Sequence, residues 1–337
     1  MLDNSRNRLL ARFALIAFVA LGVSTTPFVA QSQQTPKIFR VAHLSVAGPT
    51  PDGLPPAPLR EALRGLGYVE GQNIAYEARF SGGKNELLPG FAAELVRLKV
   101  DAIVAQGGAA ARAAKQATST IPIITAPAAG DNVATGLIAS LARPGGNVTG
   151  LTDELVQLSA KRMEILKEAV PKAALIAVLW NAGDEGMTLR YREIEKAARV
   201  LKVEVQPLGV RAPEDFAEAF STMVRRRPDA MFLVADFLTS SNRKQLIEFA
   251  AAHRIPAMYE FSFIVRDGGL MSYGPSFEES FHRAAVYLDR IFKGAKPADL
   301  PAEQPARYYL SINLKTAESA GMTIPPTLLL RTDDVVQ

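Results

Sequence analysis

"LVRLKVDAIVAQG", Leu95–Gly107, is the most informative stretch of this 337-residue chain, because its pattern returns in the second half. It reads as a helix end, an Asp-Ala pair and an apolar strand, and "MVRRRPDAMFLVAD", Met223–Asp236, repeats that order. An Ile-Pro pair and a short strand follow in each half, and then the similar stretches "GGNVTGLT", Gly145–Thr152, and "GGLMSYGP", Gly268–Pro275. An internal repeat of this length predicts two similar structural units.

The two halves also begin alike. Ile38–Ala47 and Ala174–Gly183 are continuous apolar runs, and the amphipathic stretches Leu59–Leu66 and Leu189–Lys202 follow them. Such runs alternating with amphipathic helices predict parallel sheets with helices on both faces. The fold class is therefore α/β, with two Rossmann-like doubly wound lobes.

The stretch Leu137–Thr152 predicts how the first half ends. Leu137–Leu141 has helical spacing, the Pro-Gly-Gly sequence at 144–146 stops a helix, and the residues that follow favour an extended strand. The tail breaks the symmetry: we predict a helix over Ser276–Lys293, a strand over Arg307–Ile312 and a short helix over Asn313–Ala320. This tail is too small for a domain and must complete one lobe or both.

The N-terminus is typical of a secretory signal. Three arginines precede the apolar run Phe13–Val23, which is short for a membrane span. We place the cleavage after Ala30 and the signal peptide over residues 1–30, with a site nearer Gly22 or an uncleaved anchor as alternatives. The mature protein is then expected in the periplasm.

Charge and composition exclude several classes of protein. Residues 1–30 hold three arginines and one aspartate, so without them Lys+Arg falls from 38 to 35, Asp+Glu from 34 to 33, and the net charge from +4 to +2. That balance gives no nucleic-acid footprint. The chain has no cysteine, which excludes disulfides, thiolate catalysis and a lipidated N-terminal cysteine.

Signatures of catalysis are absent from the sequence. GxSxG, P-loop, HExxH and strand-linked GxGxxG patterns do not occur. His43 falls within the first strand and reads as a packed residue, while His253 and His282 fall on predicted helices. We therefore expect no enzyme, no catalytic residue, no cofactor and no metal site.

Candidate binding residues lie where strands end, because open α/β sheets bind ligands beyond the carboxyl ends of their strands. Gly107 and Gly108 open a helix, whose N-terminal N–H groups favour an anion such as a carboxylate; a tight turn is the alternative. Asp131 and Asp236 each follow a strand and favour an ammonium; helix capping is the alternative. An anion site together with carboxylates suits a zwitterion such as an amino acid.

Several longer stretches resemble one known family, the bacterial ABC-transporter substrate-binding proteins of the tryptophan/tyrosine type. The stretches are "LREALRGLGYVEGQNIAYEARF", "LPGFAAELVRLKVDAIVAQG", "AAKQATSTIPII", "GLIASLARPGGNVTGLT", "KRMEILKEAVP", "GGLMSYGPSF", "KGAKPADLPAEQP" and "INLKTAESAGMTIPP". Together they cover nearly all of Ile38–Val336.

The resemblance implies the type I periplasmic-binding-protein fold, in which a small ligand is trapped between two lobes. Lobe 1 would comprise residues 38–151 and 276–305, and lobe 2 would comprise 152–275 and 306–337. Three crossings would form the hinge. Its expected residues are Gly150, Leu151, Thr152, Tyr273, Gly274, Ala306 and Arg307.

The chain departs from the family pattern near the expected ligand. "GDNV", Gly130–Val133, stands where Gly-Asp-Pro is common, and Gly107-Gly108 replaces a position often held by Thr or Ser. The loop Ala47–Pro56 is unusually rich in proline. Asp131 matches the family's aspartate, and Asn181 matches its Trp-Asn after the strand.

The sequence thus predicts the periplasmic solute-binding component of an ABC importer, a monomer that captures an amino acid or related zwitterion, aromatic amino acids included. It would present its closed form to an inner-membrane permease. A receptor for a membrane signalling protein and an exported α/β enzyme are the alternatives. Each candidate ligand residue has a hypothetical role: Gln106, Gly107 and Gly108 for the carboxylate, Asp131 and Asp236 for the ammonium, Tyr259 for stacking or packing, and Ser45, Thr152 and Asn181 for further hydrogen bonds.

Overall fold

A computed structural model of the chain describes residues 37–127, 130–153 and 155–337. The predicted signal peptide lies outside the described residues. The strands are β1 Phe39–Ser45, β2 Ile74–Phe80, β3 Ala102–Gln106, β4 Ile123–Thr125, β5 Val148–Gly150, β6 Leu175–Asn181, β7 Glu204–Val210, β8 Ala230–Leu233, β9 Ala257–Tyr259, β10 Met271–Gly274, β11 Tyr309–Asn313 and β12 Asp334–Val336. The α-helices are α1 Ala57–Gly65, α2 Leu88–Arg97, α3 Gly108–Ala117, α4 Leu155–Ala169, α5 Glu185–Val200, α6 Asp215–Arg226, α7 Phe237–Ser241, α8 Arg243–Ala252, α9 Ser262–Arg266, α10 Phe277–Phe292, α11 Leu314–Ser319 and α12 Pro326–Leu329.

The first half forms a parallel five-stranded sheet with the order β2-β1-β3-β4-β5. β1 lies inside this sheet and is buried from Val41 to Ser45, whereas the edge strand β2 is half-buried beyond Ile74. Two clusters of buried apolar side chains cover the two faces. This is the doubly covered arrangement that the continuous apolar runs predict.

The second half forms a seven-stranded sheet with the order β12-β11-β10-β9-β8-β6-β7. Strands β6 to β10 are parallel, β11 runs antiparallel to β10, and β12 is parallel to β11. Two further apolar clusters cover its faces. The predicted α/β class with two doubly wound lobes is confirmed, and the two final strands extend the second sheet.

The tail divides between the lobes. The apolar face of α10, which includes Phe281, Ala284 and Leu288, belongs to the core of the first sheet. β11 and β12 join the second sheet. The chain therefore passes between the sheets after β5, after β10 and before β11, which are the three places where the hinge is predicted.

The helix predicted over Leu137–Leu141 is wrong, because the segment forms turns. The N–H groups of Leu137 and Ile138 both donate to the carbonyl of Asn132, at 2.9 and 3.1 Å, and that of Ala139 donates to Pro144. Gly136, with φ at +69°, turns the chain away from helical geometry. Leu137 and Ile138 are nevertheless buried, so their apolar character serves the core without a helical period.

Two glycines occupy crowded positions where the chain leaves the sheets. Gly150 has φ at +116°, and a Cβ there would lie 2.5 Å from the carbonyl oxygen of Thr125. A Cβ on Gly274 would overlap the carbonyl group of Glu260. Glycine is required at Gly150 and Gly274 because the backbones approach too closely for a side chain. The first and third crossings also pair with each other, since the Thr152 N–H donates to the carbonyl of Glu303 at 2.9 Å.

Candidate functional site

The carboxyl edge of the first sheet holds a small group of neutral polar side chains. Ser45 and Gln106 are the last residues of adjacent strands, in register in β1 and β3. The Ser45 hydroxyl donates to Oε1 of Gln106 at 3.0 Å and accepts the Ala47 N–H at 3.0 Å. Nε2 of His43 lies 3.1 Å from the same Oε1. Ser45 and His43 are fully buried, whereas Gln106 is half-buried, so only Gln106 of these three is partly exposed to solvent.

His43 occupies an apolar setting. Its ring packs against Phe80 and Phe281, with centroids 5.7 and 6.0 Å away. Burial lowers the pKa of His43 to about 4, which the hydrogen bond to Gln106 only partly offsets. His43 is therefore neutral at neutral pH, and the sequence-based interpretation of a packed residue is confirmed.

Gly107 and Gly108 form the junction between β3 and α3. Gly107 has φ at +91°, and a Cβ there would lie 2.7 Å from Cγ2 of Val46. No side chain caps α3, and within the described residues the N–H groups of Gly108, Ala109 and Ala110 have no acceptor. The exposed end of this helix dipole favours an oxyanion.

The loop after β4 holds Asp131 and reaches the first crossing. The Asp131 carboxylate is exposed and accepts the N–H groups of Val133 and Ala134 at 2.9 and 3.0 Å. The Thr152 hydroxyl donates to the Gly130 carbonyl and accepts the N–H of Asn132, both at 3.1 Å. Asp131 therefore caps a turn, and the helix-capping alternative is wrong for it, because turns and bends follow Asp131 where a helix was predicted.

A cavity of about 330 Å³ lies beside this loop. Its lining residues are Asp131, Val133, Ser140, Leu141, Thr152, Asp153 and Gln304. Asn132, which sequence reasoning did not select, is fully buried next to it and donates to Thr125 Oγ1 and the Leu151 carbonyl at 2.9 and 2.8 Å. Asn132 thereby fixes the start of the first crossing, and its place in the "GDNV" departure was the available signal.

Asn181 and Asp236 meet at the carboxyl edge of the second sheet. Nδ2 of Asn181 donates to Oδ2 of Asp236 at 2.6 Å. Asp236 is the N-cap of α7 and accepts the N–H and hydroxyl of Thr239 at 2.9 and 3.0 Å. Burial raises the pKa of Asp236, because desolvation outweighs these hydrogen bonds. The helix-capping alternative is thus present for Asp236.

Tyr259 does not join this group. Its ring is buried in the core of the second lobe, and it lines a different cavity of about 250 Å³ between α8 and α11. Burial also raises the pKa of its phenol, so the hydroxyl stays protonated. Its position corresponds to the packing role.

A buried charged cluster of Arg162, Arg190 and Glu260 was missed by the sequence reasoning. Oε1 of Glu260 pairs with Arg190 and lies 3.4 Å from Nη1 of Arg162. Nε of Arg162 also donates to the carbonyl of Tyr273, at 2.5 Å, on the second crossing. Burial lowers the pKa of Arg162 to about 10. These charges belong to α4, α5 and the loop after β9, so only tertiary structure brings them together.

The two carboxyl edges touch in the structure. A Cβ on Gly83, in the loop after β2, would overlap the ring of Phe237, which directly follows Asp236. The N–H of Gly83 donates to the carbonyl of Val46 at 2.9 Å, next to Ser45. The edge with Ser45 and Gln106 therefore lies across from the edge with Asp236.

The third crossing lies on the surface. Ala306 and Arg307 are exposed, and the Arg307 guanidinium pairs with Asp333 and lies 5.0 Å from the ring centre of Tyr309. In the part of the chain that the structure describes, no group of acidic or histidine side chains could hold a metal ion. A search of the same residues finds no helix with the length and apolarity of a membrane span.

Comparisons with known proteins agree with this architecture. The family model described as "ABC transporter substrate binding protein" matches residues 56–336. A tyrosine-binding protein of Clostridioides difficile is 28% identical over 264 residues, covering 78% of this chain and 75% of the relative.

Solved structures show the same fold. One is the ABC domain of a Streptococcus pneumoniae protein in complex with L-Trp, with a TM-score of 0.79, 23% identity and coverage of 89% of this chain and 100% of the other. Another is a ligand-free, open substrate-binding protein from Clostridium difficile, with a TM-score of 0.63, 22% identity and coverage of 89% and 99%. The type I periplasmic-binding-protein fold is thus confirmed. The chain belongs to the family of ABC transporter substrate-binding proteins.

Proposed function

We propose that this protein is the solute-binding component of an ABC importer and captures an amino acid or a related zwitterion between its lobes. The observation that carries the proposal is the contact between Gly83 and Phe237, which sets a donor-bearing edge against a carboxylate-bearing edge. Gln106, Gly107 and Gly108 would bind the carboxylate of the ligand, and Asp236 would bind its ammonium.

The cavity beside the first crossing supports a further set of ligand contacts in the proposed site. Asp131 and Thr152 both line it, so a ligand there would touch the loop after β4 and the hinge together. Closure would then be favoured only to the extent that ligand binds the closed form more tightly than the open one. Asn181 would act through Asp236, whose carboxylate it already holds.

Relatives and the N-terminal segment support the ligand class and the location. The tyrosine-binding relative and the solved complex with L-Trp make aromatic amino acids the first candidates. The apolar N-terminal segment supports export, and the family supports delivery to a membrane permease. The protein would act as a monomer.

A thermal-shift screen of the chain from residue 31 onward tests the ligand class. L-tyrosine, L-tryptophan, the other amino acids, purines, neutral sugars and small acids are added singly. A binder at 100 times its Kd stabilises the fold by about 2.7 kcal/mol. We expect an amino acid to raise the Tm, and a shift with neutral sugars alone would contradict the zwitterion proposal.

Asp236→Asn tests the role of the carboxylate. We expect it to weaken amino-acid binding at least tenfold, since a charge-assisted bond contributes about 1.5–3 kcal/mol. The matched control is Asp229→Asn, because the Asp229 carboxylate also accepts hydrogen bonds, here from two backbone N–H groups, but lies at the amino end of β8. Equal affinities for the two variants would remove Asp236 from the site.

A further inference from the structure

We propose that His43 and Ser45 are positioning residues that fix the Gln106 side chain with its amide N–H₂ group toward the cleft, so that this subsite accepts an oxygen of the ligand and not its ammonium. The inference rests on the proposed function for the identity of the ligand. The geometry on which it stands belongs to the protein alone.

A count of hydrogen atoms decides the orientation of the amide. The Ser45 hydroxyl already accepts the Ala47 N–H, so its own hydrogen is available to donate, and Oε1 of Gln106 lies 3.0 Å away. Nδ1 of His43 is buried and has no hydrogen-bond partner in the described residues. With the ring proton of His43 on Nε2, His43 and Ser45 both donate to Oε1 of Gln106. Among the described residues, this leaves only the acceptor nitrogen Nδ1 of His43 without a partner.

The reversed amide is less favourable. It would place Nε2 of Gln106 against Ser45 and His43, and the His43 proton would have to move to Nδ1. The Nδ1–H group and the Ser45 hydroxyl would then be two buried donors without acceptors within the described residues. Each such group costs about 1–3 kcal/mol. The orientation with Oε1 inward is therefore strongly preferred.

The outward amide has a specific consequence for recognition. Nε2 of Gln106 makes no hydrogen bond to any described residue and belongs to a half-buried side chain at the carboxyl end of β3. It can only donate, and the next residues begin the uncapped helix α3. A carboxylate or carbonyl oxygen fits here, whereas an ammonium would meet donors only.

The arrangement also reassigns Ser45. Sequence reasoning expects it to bind the ligand directly, but its side chain is fully buried and both of its hydrogen-bonding functions are used inside the protein. We place its effect on the ligand one bond away, through Gln106. His43 acts in the same way and requires no protonation at neutral pH.

The first experiment needs no ligand. ¹⁵N-histidine-labelled protein at pH 7 is examined by long-range ¹H–¹⁵N NMR, and His253→Gln and His282→Gln variants assign the remaining signal to His43. We expect the neutral tautomer with the proton on Nε2. A proton on Nδ1 overturns the inference, whatever the protein binds.

The second experiment uses L-tyrosine and tyramine, which lacks the carboxylate, as probes in calorimetric titrations. Wild-type protein is expected to prefer L-tyrosine by more than tenfold. Ser45→Ala should weaken L-tyrosine roughly tenfold and tyramine less than twofold. The control is Ser272→Ala, since Ser272 is also fully buried but lies in β10 and its hydroxyl has no partner among the described residues.

The outcomes separate the two proposals. Equal weakening of both probes by Ser45→Ala indicates a merely structural role and overturns the inference. Equal wild-type affinity for both probes overturns it as well. If wild-type protein binds neither probe, the aromatic amino-acid proposal fails, and the tautomer of His43 still decides whether the Gln106 amide is held as stated.

Discussion

The same position of the internal repeat is built in opposite ways in the two lobes. In lobe 1 the chain leaves β3 and begins α3 at Gly107 and Gly108, with no side-chain cap. In lobe 2 it leaves β8 and begins α7 at Asp236, which caps the helix with its own carboxylate. One edge therefore exposes backbone N–H groups, and the other carries a carboxylate.

The difference would make the proposed site asymmetric, although the two lobes repeat one structural unit. The backbone path is similar in both lobes, so the positions of the helix ends are similar too. The residue at the helix start then decides the sign of the potential at that edge. Neutral hydrogen bonds around Gln106 support the lobe 1 edge, whereas buried ions around Glu260 support the lobe 2 edge.

The largest expected effect comes from removing the buried ion of lobe 2. Glu260→Ala leaves Arg162 and Arg190 without their shared carboxylate in a fully buried site. We expect a loss of about 3–5 kcal/mol in the free energy of unfolding, measured by urea denaturation. The control Glu193→Ala breaks an exposed pair with Lys196 and should change little. Similar small losses in both variants would show that the buried cluster does not hold the lobe 2 edge.

We expect acid to lower the free energy of unfolding through His43, which lies beside Gln106 at the lobe 1 edge. Its pKa falls from 6.5 to about 4 on folding, so the folded protein favours the neutral ring. That contribution, about 3 kcal/mol, is fully present above pH 6.5 and is lost as the pH falls toward 4. Urea denaturation at pH 7 and pH 4.5 should show a smaller acid loss in His43→Gln than in wild type. His253→Gln is the control, because His253 is exposed. If both variants lose as much stability between pH 7 and pH 4.5 as wild type does, His43 is not the group responsible.

Gly107→Ala tests why lobe 1 cannot carry a side chain at the start of α3. The alanine methyl would lie 2.7 Å from Cγ2 of Val46 in a backbone conformation with φ at +91°. We expect a loss of about 1–3 kcal/mol, read from the denaturation midpoint. Gly48→Ala, which has open space and no positive φ, should stay within the error of wild type. A fully stable Gly107→Ala would mean that the edge can relax.

The smallest effect is expected at the matching position of lobe 2. Asp236→Ala removes the cap of α7 and should cost about 1 kcal/mol, whereas Asp236→Asn keeps a capping oxygen, loses the bond from Asn181 and should cost less. Both variants should lose amino-acid affinity. Thermal denaturation without ligand separates the cap from the binding role, and equal Tm losses in both variants would show that charge, not capping, stabilises this edge.

The fold was largely predictable from local patterns. The repeated Asp-Ala strand starts, the apolar runs of β1 and β6 and the amphipathic α10 were recognisable because each depends on residues close in sequence. The conformation of the segment at Leu137 was not predictable, because its apolar residues are buried by turns around the Asn132 carbonyl. Over so few residues, the spacing of apolar residues in such turns looks the same as that of a helix. For the candidate site, the strand-end residues could be predicted, but the hydrogen bonds and ion pairs between them could not.

Local sequence patterns were enough to predict two doubly wound lobes and the strand ends at which Gln106, Gly107 and Asp236 lie. Hydrophobic periodicity and helix-stop residues allow this prediction because they depend only on residues that are close in sequence. Other contacts could be found only in the folded protein: Ser45 and His43 hydrogen-bond to Gln106, Tyr259 lines a separate cavity, and Glu260 pairs with two arginines. Those pairings depend on side chains distant in sequence, whose partners are set only when the sheets assemble and water is excluded.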